Sequence, residues 1–101
     1  MPVQAADVTL SYLNYLIRKS NKLCQKNGWD RHWTDAGCCL HLEASEFIEA
    51  LRGKGNSPPE EEAADVLFVL FSMLHHNSIP IENVLGALDE KISTKLEEEV
   101  C

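Results

Sequence analysis

The apolar positions of this chain recur with helical period in four stretches, separated by Gly, Pro and Asn. In the first stretch, Leu10, Leu13, Ile17 and Cys24 share one face of a helix predicted from about residue 5 to 27, and Asn27-Gly28 closes it. An aromatic connector follows, Trp29-Asp30-Arg31-His32-Trp33. Thr34 or Asp35 is suited to cap a second helix running to about residue 53, where Gly53-Lys54-Gly55-Asn56 reads as a loop. Ser57-Pro58-Pro59-Glu60 then opens a third helix, with Ser57 as the expected cap, a proline in the first helical position and a glutamate three residues after the cap. That start signal decides the apolar run 66–74 (VLFVLFSML) for helix, although its composition also suits a buried strand. Asn77-Ser78-Ile79-Pro80 breaks the chain again, and a fourth helix begins at Pro80 with the stripe Ile81, Leu85, Leu88, Ile92 and Leu96. Four helices with short connections predict an all-α, four-helix bundle-like domain.

The third helix adds a constraint. Within residues 66–74 only Ser72 is polar, so the helix is apolar all round and needs cover on every side. Three neighbouring helices in a short chain provide too little, and the expectation is a homodimer or homotetramer with this helix near the interface.

Length and charge limit what the chain can be. Its 101 residues suffice for one domain, spanning 1–101, and not for two. The net charge of −7, with no cluster of Lys or Arg, argues against nucleic acid as the main partner, because phosphate backbones demand a basic footprint. No stretch has the length and apolarity of a membrane span, and the N-terminus lacks a signal-peptide pattern. Of the four cysteines, Cys38 and Cys39 are adjacent and Cys101 is the last residue, which suits a disulfide framework poorly. Reduced thiols in a cytoplasmic protein are the expected state.

Chemistry enters through misplaced acids. On the second helix Cys39, Leu40, Ala44, Phe47, Ala50 and Leu51 form one apolar arc, while Ser45, Glu49 and Arg52 lie opposite. Glu43 falls inside the arc and Glu46 at its edge. An ionised carboxylate held there is costly unless it is paired or bound to metal. The third helix repeats the anomaly, since Glu62 and Asp65 are neighbours at i, i+3 and Asp65 directly precedes the apolar run. Four converging carboxylates would repel by roughly 4 kcal/mol per close pair at an effective dielectric near 20. No basic cluster nearby in sequence offsets this, whereas a divalent cation would. All-oxygen ligation selects a hard ion, Mg²⁺ or Mn²⁺. Glu60 and Glu61 have an ordinary explanation, the favourable field at a helix N-terminus.

The string Leu-Glu-Ala-Ser-Glu-Phe-Ile-Glu-Ala-Leu, a Gly/Pro loop, then Glu-Glu-Ala-Ala-Asp-Val-Leu-Phe resembles the MazG-like all-α nucleoside triphosphate pyrophosphohydrolases. That superfamily includes dimeric dUTPases, dCTP pyrophosphatases and phosphoribosyl-ATP pyrophosphohydrolase. Its signature is E-E-x-x-E, a variable spacer, then E-x-x-D. Glu43 and Glu46 match the second and third acids of the first part, and Glu62 and Asp65 match the second part. The first acid is replaced by Leu42. The likeness covers roughly residues 29–95. It implies Mg²⁺ held by these four carboxylates and cleavage between the α and β phosphates of a (d)NTP, giving a monophosphate and pyrophosphate, as in nucleotide-pool house-cleaning. Glu46 is the first choice for positioning the attacking water, with Glu43 beside it. The departure at Leu42 keeps open a non-catalytic helical oligomer that binds nucleotide or regulates, and phosphoribosyl-ATP hydrolysis is a further alternative within enzymes.

Other residues complete the expectation. Lys91 and Lys95 are four apart on the fourth helix, at the edge of its apolar stripe, and suit triphosphate binding as well as they suit a solvated rim paired with Glu90 or Glu98. Lys54 is a weaker cation candidate. Trp29 and Trp33 offer flat surfaces for a nucleobase, or else cap the end of the bundle. His32 and Asn83 are further candidates for hydrogen bonds to base or phosphate. Zinc is discounted: adjacent Cys38 and Cys39 cannot readily share a tetrahedral site, and His41, His75 and His76 lack the usual spacing.

Overall fold

The computed structural model describes residues 8–29 and 32–100. Four helices follow one another: α1 (Leu10–Asn27), α2 (Trp33–Leu51), α3 (Pro59–His76) and α4 (Ile81–Val100). No strand occurs among the described residues, and the chain is one small all-α domain.

Each boundary has a local cause. Thr9 caps α1, its Oγ1 accepting from the Tyr12 N–H at 3.1 Å. The expected earlier start near residue 5 lies outside the described residues. At the other end Gly28 takes the left-handed conformation (φ 67°), which glycine adopts without a Cβ penalty. Its N–H donates to the Gln25 carbonyl and that of Trp29 to the Cys24 carbonyl, so the turn that ends α1 also fixes where Trp29 starts.

Two caps differ from the sequence reading. His32, rather than Thr34 or Asp35, caps α2: its Nδ1 accepts from the Thr34 N–H and its carbonyl accepts from Ala36 N–H at 2.8 Å. Trp33 is therefore the first residue of α2 instead of part of the connector. In α3 the cap is Pro58, not Ser57, and no side chain bonds the helix start. The reason is steric. A residue preceding proline is pushed into extended geometry, so Pro59 forces Pro58 (φ −62°, ψ 148°) to stand as the last non-helical residue. The Pro58 carbonyl accepts from the Glu61 and Glu62 N–H groups, and Glu60, Glu61 and Glu62 meet the positive end of the helix dipole. α2 stops at Leu51, slightly before the expected end, because Gly53 turns with φ 73°.

Helix α3 is the central element. One side packs on α2 and another on α1, while α4 leans on α1. The core joins Ile17 of α1, Phe71 and Leu74 of α3 and Ile81 of α4, with Leu13, Leu16, Leu70 and Val84 packed around them. Cover on two sides accounts for the nearly unbroken apolarity of α3. Its first two turns, which carry Glu62 and Asp65, lie alongside α2.

Candidate functional site

The α2–α3 pair brings the acids together. Glu43 of α2 and Glu62 and Asp65 of α3 each offer a carboxylate oxygen, and these atoms all lie within 4.8 Å of one another. Spacing explains the convergence: Glu62 and Asp65 are one turn apart, and Glu43 sits on the α2 face that buries Ala36 and Ala50. Oxygens around a single Mg²⁺ at 2.0–2.1 Å lie about 3 Å apart when adjacent and about 4.2 Å when opposite, so small side-chain rotations would close this set onto one ion.

The electrostatics support that fit. One oxygen of Glu43 and one of Glu62 are sheltered from solvent with no hydrogen-bond partner. Unpartnered buried carboxylate oxygens are rare, because desolvation goes uncompensated. Burial raises the Glu43 pKa above its ordinary value, and the negative charges of Glu46 and Asp65, a hydrogen bond shared with Glu46 and the charge of Glu62 raise it further. Glu43 thus resists ionising as it stands. Two orphan oxygens, a carboxyl whose pKa is raised by burial and by its acidic neighbours, and an all-oxygen donor set fit a hard divalent cation.

Glu46 is exposed and lies outside the three-residue set, in contact with it through its hydrogen bond to Glu43. Glu49, on the far side of α2, pairs with Arg52 at 3.0 Å. Leu42 is an exposed apolar side chain on the same turn as Glu46.

Beside the acids opens a cleft of about 320 Å³, lined by Glu43, Asp65, Trp29 and Phe68 with smaller residues at its floor. Trp29 meets Phe68 edge-on, ring centroids 6.0 Å apart at 87°. The floor includes Cys24 and Ser72, both buried. The Cys24 thiol donates to Ser72 Oγ at 3.3 Å, and Ser72 Oγ donates to the Phe68 carbonyl at 2.8 Å. One cleft therefore joins a carboxylate cluster to an aromatic wall. Ala36, Cys39 and Val69 also line it and were not foreseen as site residues. Their only signal in the sequence was membership of an apolar face, which marks core as readily as cleft. Ser72 had a stronger one, as the single polar residue of the run 66–74.

The other sequence candidates lie elsewhere. Lys91 and Asn83 line a shallow groove with Ile79, Val84, Ala87 and Leu88, and Lys95 lines a second one; neither groove shares a residue with the acidic cleft. Lys95 Nζ pairs with Glu98 at 3.3 Å, both well exposed. Lys54 is exposed in the loop after α2. His32 serves the α2 cap. The Trp33 side chain lies outside the described residues. The free thiols Cys38 and Cys39 are exposed, and no cysteine or histidine belongs to a metal-like cluster among the described residues. No described helix is long and apolar enough to cross a membrane.

Comparison with known proteins agrees with this geometry. No curated protein and no solved structure matches the chain. The family model for phosphoribosyl-ATP pyrophosphohydrolase, by contrast, matches residues 9–92, which takes in all four signature acids and the whole α1–α3 core. On this match the all-α chain, with its acids facing each other across α2 and α3, belongs to the phosphoribosyl-ATP pyrophosphohydrolase family, a branch of the MazG-like pyrophosphohydrolases that hydrolyse phosphoanhydrides.

Proposed function

We propose that the protein is a Mg²⁺-dependent nucleotide pyrophosphohydrolase that splits a (d)NTP between its α and β phosphates, releasing (d)NMP and pyrophosphate. The observation that carries this reading is the set of three carboxylates within 4.8 Å, two of them with an orphaned buried oxygen, opening onto an aromatic cleft. In this reading Glu43, Glu62 and Asp65 hold the ion, and Glu46 joins them from the rim. Bound Mg²⁺ (or Mn²⁺) supplies charge neutralisation and alignment of the polyphosphate. Glu46, exposed and hydrogen-bonded to Glu43, accepts a proton from the water that attacks in line. Little covalent chemistry is asked of the protein, so positioning dominates. Trp29, with Phe68 behind it, provides the face on which the base stacks. Lys91 and Lys95, and more weakly Lys54, belong to the proposal as phosphate contacts. His32, Trp33 and Asn83 remain lesser parts of it.

A second substrate, phosphoribosyl-ATP, is favoured by the family match itself. Both reactions cleave the same anhydride and use the same acids. A panel of (d)NTPs and phosphoribosyl-ATP, incubated with Mg²⁺ and assayed for pyrophosphate, separates them. Release from one or more (d)NTPs supports the first reading, and release from phosphoribosyl-ATP alone selects the second. Calorimetric binding of a non-hydrolysable triphosphate without turnover of any substrate would overturn both in favour of a binding module.

A further inference from the structure

The residues that line the cleft beside the acids come in a fixed order. On α2 they are Ala36, Cys39 and Glu43, and on α3 they include Asp65, Phe68 and Ser72. Both sets follow i, i+3, i+7, the spacing that keeps side chains on one helical face. The two faces meet at their acids, Glu43 against Asp65. Moving away from that point, α2 is followed backwards and α3 forwards. The faces therefore run side by side for two turns, roughly 10 Å along the axis. Ala36 and Cys39 are small, which leaves a slot open across from Phe68 and Ser72. The slot has carboxylates at one end, an aromatic wall from Phe68 and Trp29 along its length, and a hydroxyl on the floor at the other end.

On the proposed nucleotide reading, on which this inference rests, the phosphates sit at the acids. Sugar and base then extend along the slot, and the far edge of the base arrives at Ser72. What that edge meets depends on where two protons already go. The Cys24 thiol donates to Ser72 Oγ at 3.3 Å, and Ser72 Oγ donates to the Phe68 carbonyl at 2.8 Å. Cys24 and Ser72 are each 3 % exposed, so water competes little for either proton. A hydroxyl has one proton and two lone pairs. With its proton on Phe68 and one lone pair taken by Cys24, Ser72 keeps one lone pair and no donor. The Cys24 sulfur adds only a weak acceptor. This floor can accept a hydrogen bond but has none to give.

Bases differ in what they bring to it. Cytosine and adenine carry an exocyclic amino group, a donor, where uracil, thymine and guanine carry a carbonyl acceptor. An amino group fills the free lone pair of Ser72. A carbonyl oxygen placed there faces another acceptor and has lost its water without replacement. We propose that Ser72, oriented by Cys24 and the Phe68 carbonyl, is a specificity-determining residue. It accepts from the exocyclic amine and selects cytosine and adenine nucleotides over those of uracil, thymine and guanine.

Pyrophosphate release from CTP, dCTP, ATP, dATP, UTP, dUTP, dTTP, GTP and dGTP, each with Mg²⁺, tests the ranking. The amino-bearing nucleotides should lead by roughly 10- to 100-fold in kcat/KM, the scale on which an unpaired buried acceptor is penalised. Two probes need no variant: purine ribonucleoside triphosphate is ATP without its amine, and pyrimidin-2-one ribonucleoside triphosphate is CTP without its amine. Each should fall below its parent by a similar factor. Ser72→Ala should bring ATP and CTP down toward UTP and GTP, with Mg²⁺ affinity unchanged in the absence of nucleotide. Cys24→Ala leaves the hydroxyl in place and should keep the ranking. The amine-free probes decide the matter if Ser72→Ala fails to fold. Turnover without base preference, or with a preference for carbonyl-bearing bases, overturns the proposal and leaves the hydrolase reading standing. So does turnover of the amine-free probes as fast as their parents. If no nucleotide is turned over, the Kd values of non-hydrolysable analogues of ATP, CTP, UTP and GTP decide. The same ranking in Kd upholds Ser72 as the reader of the base while the hydrolase reading fails, and an even ranking or no binding overturns both.

Discussion

Glu43 of α2 and Asp65 of α3 come from helices separated by a loop, yet their carboxylate oxygens lie within 4.8 Å of each other. Coulomb repulsion on that scale persists unless a proton or a metal ion relieves it. In the structure the mark of that repulsion is a Glu43 pKa raised above its ordinary value, by burial first and by the neighbouring acids next. Glu43→Gln and Asp65→Asn remove one charge each. Both variants should fold, melt at or slightly above the wild-type temperature without metal, and lose Mg²⁺ affinity by more than the roughly 10–100-fold that loss of a supporting group costs. Calorimetric titration with Mg²⁺ checks the affinity and pyrophosphate release checks turnover. Variants that still bind Mg²⁺ and turn over at the wild-type level would remove the carboxylates from the site.

Trp29→Ala tests the other half of the cleft. The indole leans edge-on against Phe68 and is half in solvent, so its removal should disturb the fold little. A base that stacks there loses about 1–3 kcal/mol, or roughly 5- to 150-fold in binding. The expected pattern is a raised KM with Mg²⁺ affinity unchanged in the absence of nucleotide. An unchanged KM would move the base elsewhere.

How much of this could be read from sequence depends on the kind of signal. Glu43 was legible because it breaks an apolar face, and a charge in an apolar position demands an explanation; Asp65, expected at the core because it precedes the apolar run, is instead exposed and meets Glu43 from the rim. The four helices were legible because their stop and start signals are local, Asn27-Gly28, Gly53 and Pro59 among them. The caps at His32 and Pro58 were not, since the choice among adjacent capping residues depends on where the backbone first turns helical. The cleft floor was hidden for another reason. Cys24 and Ser72 are 48 residues apart, and nothing on either helix says that the other will face it. The stripe of α4 was plain, but period reports only that a face is apolar and not what lies against it.

The Cys24–Ser72 bond carries a stability prediction. Ser72 is 3 % exposed, and Ser72→Ala removes the hydroxyl that accepts from the buried Cys24 thiol and donates to the Phe68 carbonyl. A net loss of about 1 kcal/mol is expected, which for a domain of this size lowers the melting temperature by roughly 4–8 °C. Thermal melts monitored by circular dichroism measure it. A higher melting temperature would show that helix propensity of alanine outweighs the bond.

The α4 cations separate two roles. Lys95 pairs with Glu98 at the exposed surface, a contact worth little on its own. Lys91→Ala with Lys95→Ala should therefore leave stability within about 0.5 kcal/mol of wild type. If these side chains meet the polyphosphate, KM rises several-fold and the dependence of KM on ionic strength weakens. An unaltered KM assigns them to the solvated rim.

The raised pKa of Glu43 sets a direction for stability against pH. Folded Glu43 keeps its proton above its ordinary value of 4.5, so between that value and the raised one the folded chain binds more protons than the unfolded chain. Stability then falls with rising pH across that window. The contribution is most favourable below the ordinary value, and the penalty is complete once pH exceeds the raised one. Mg²⁺ binds the ionised carboxylate, so its stabilising effect grows over the same window and reverses the loss at neutral pH. Melting temperatures of the wild type and Glu43→Gln, compared from acid to neutral pH with chelator and with Mg²⁺, isolate this one group from the rest of acid denaturation. The metal-free difference should open in favour of Glu43→Gln as pH rises and close, then invert, when Mg²⁺ is added. A difference that stays flat with pH would mean that Glu43 titrates no differently in the folded chain than in the unfolded one.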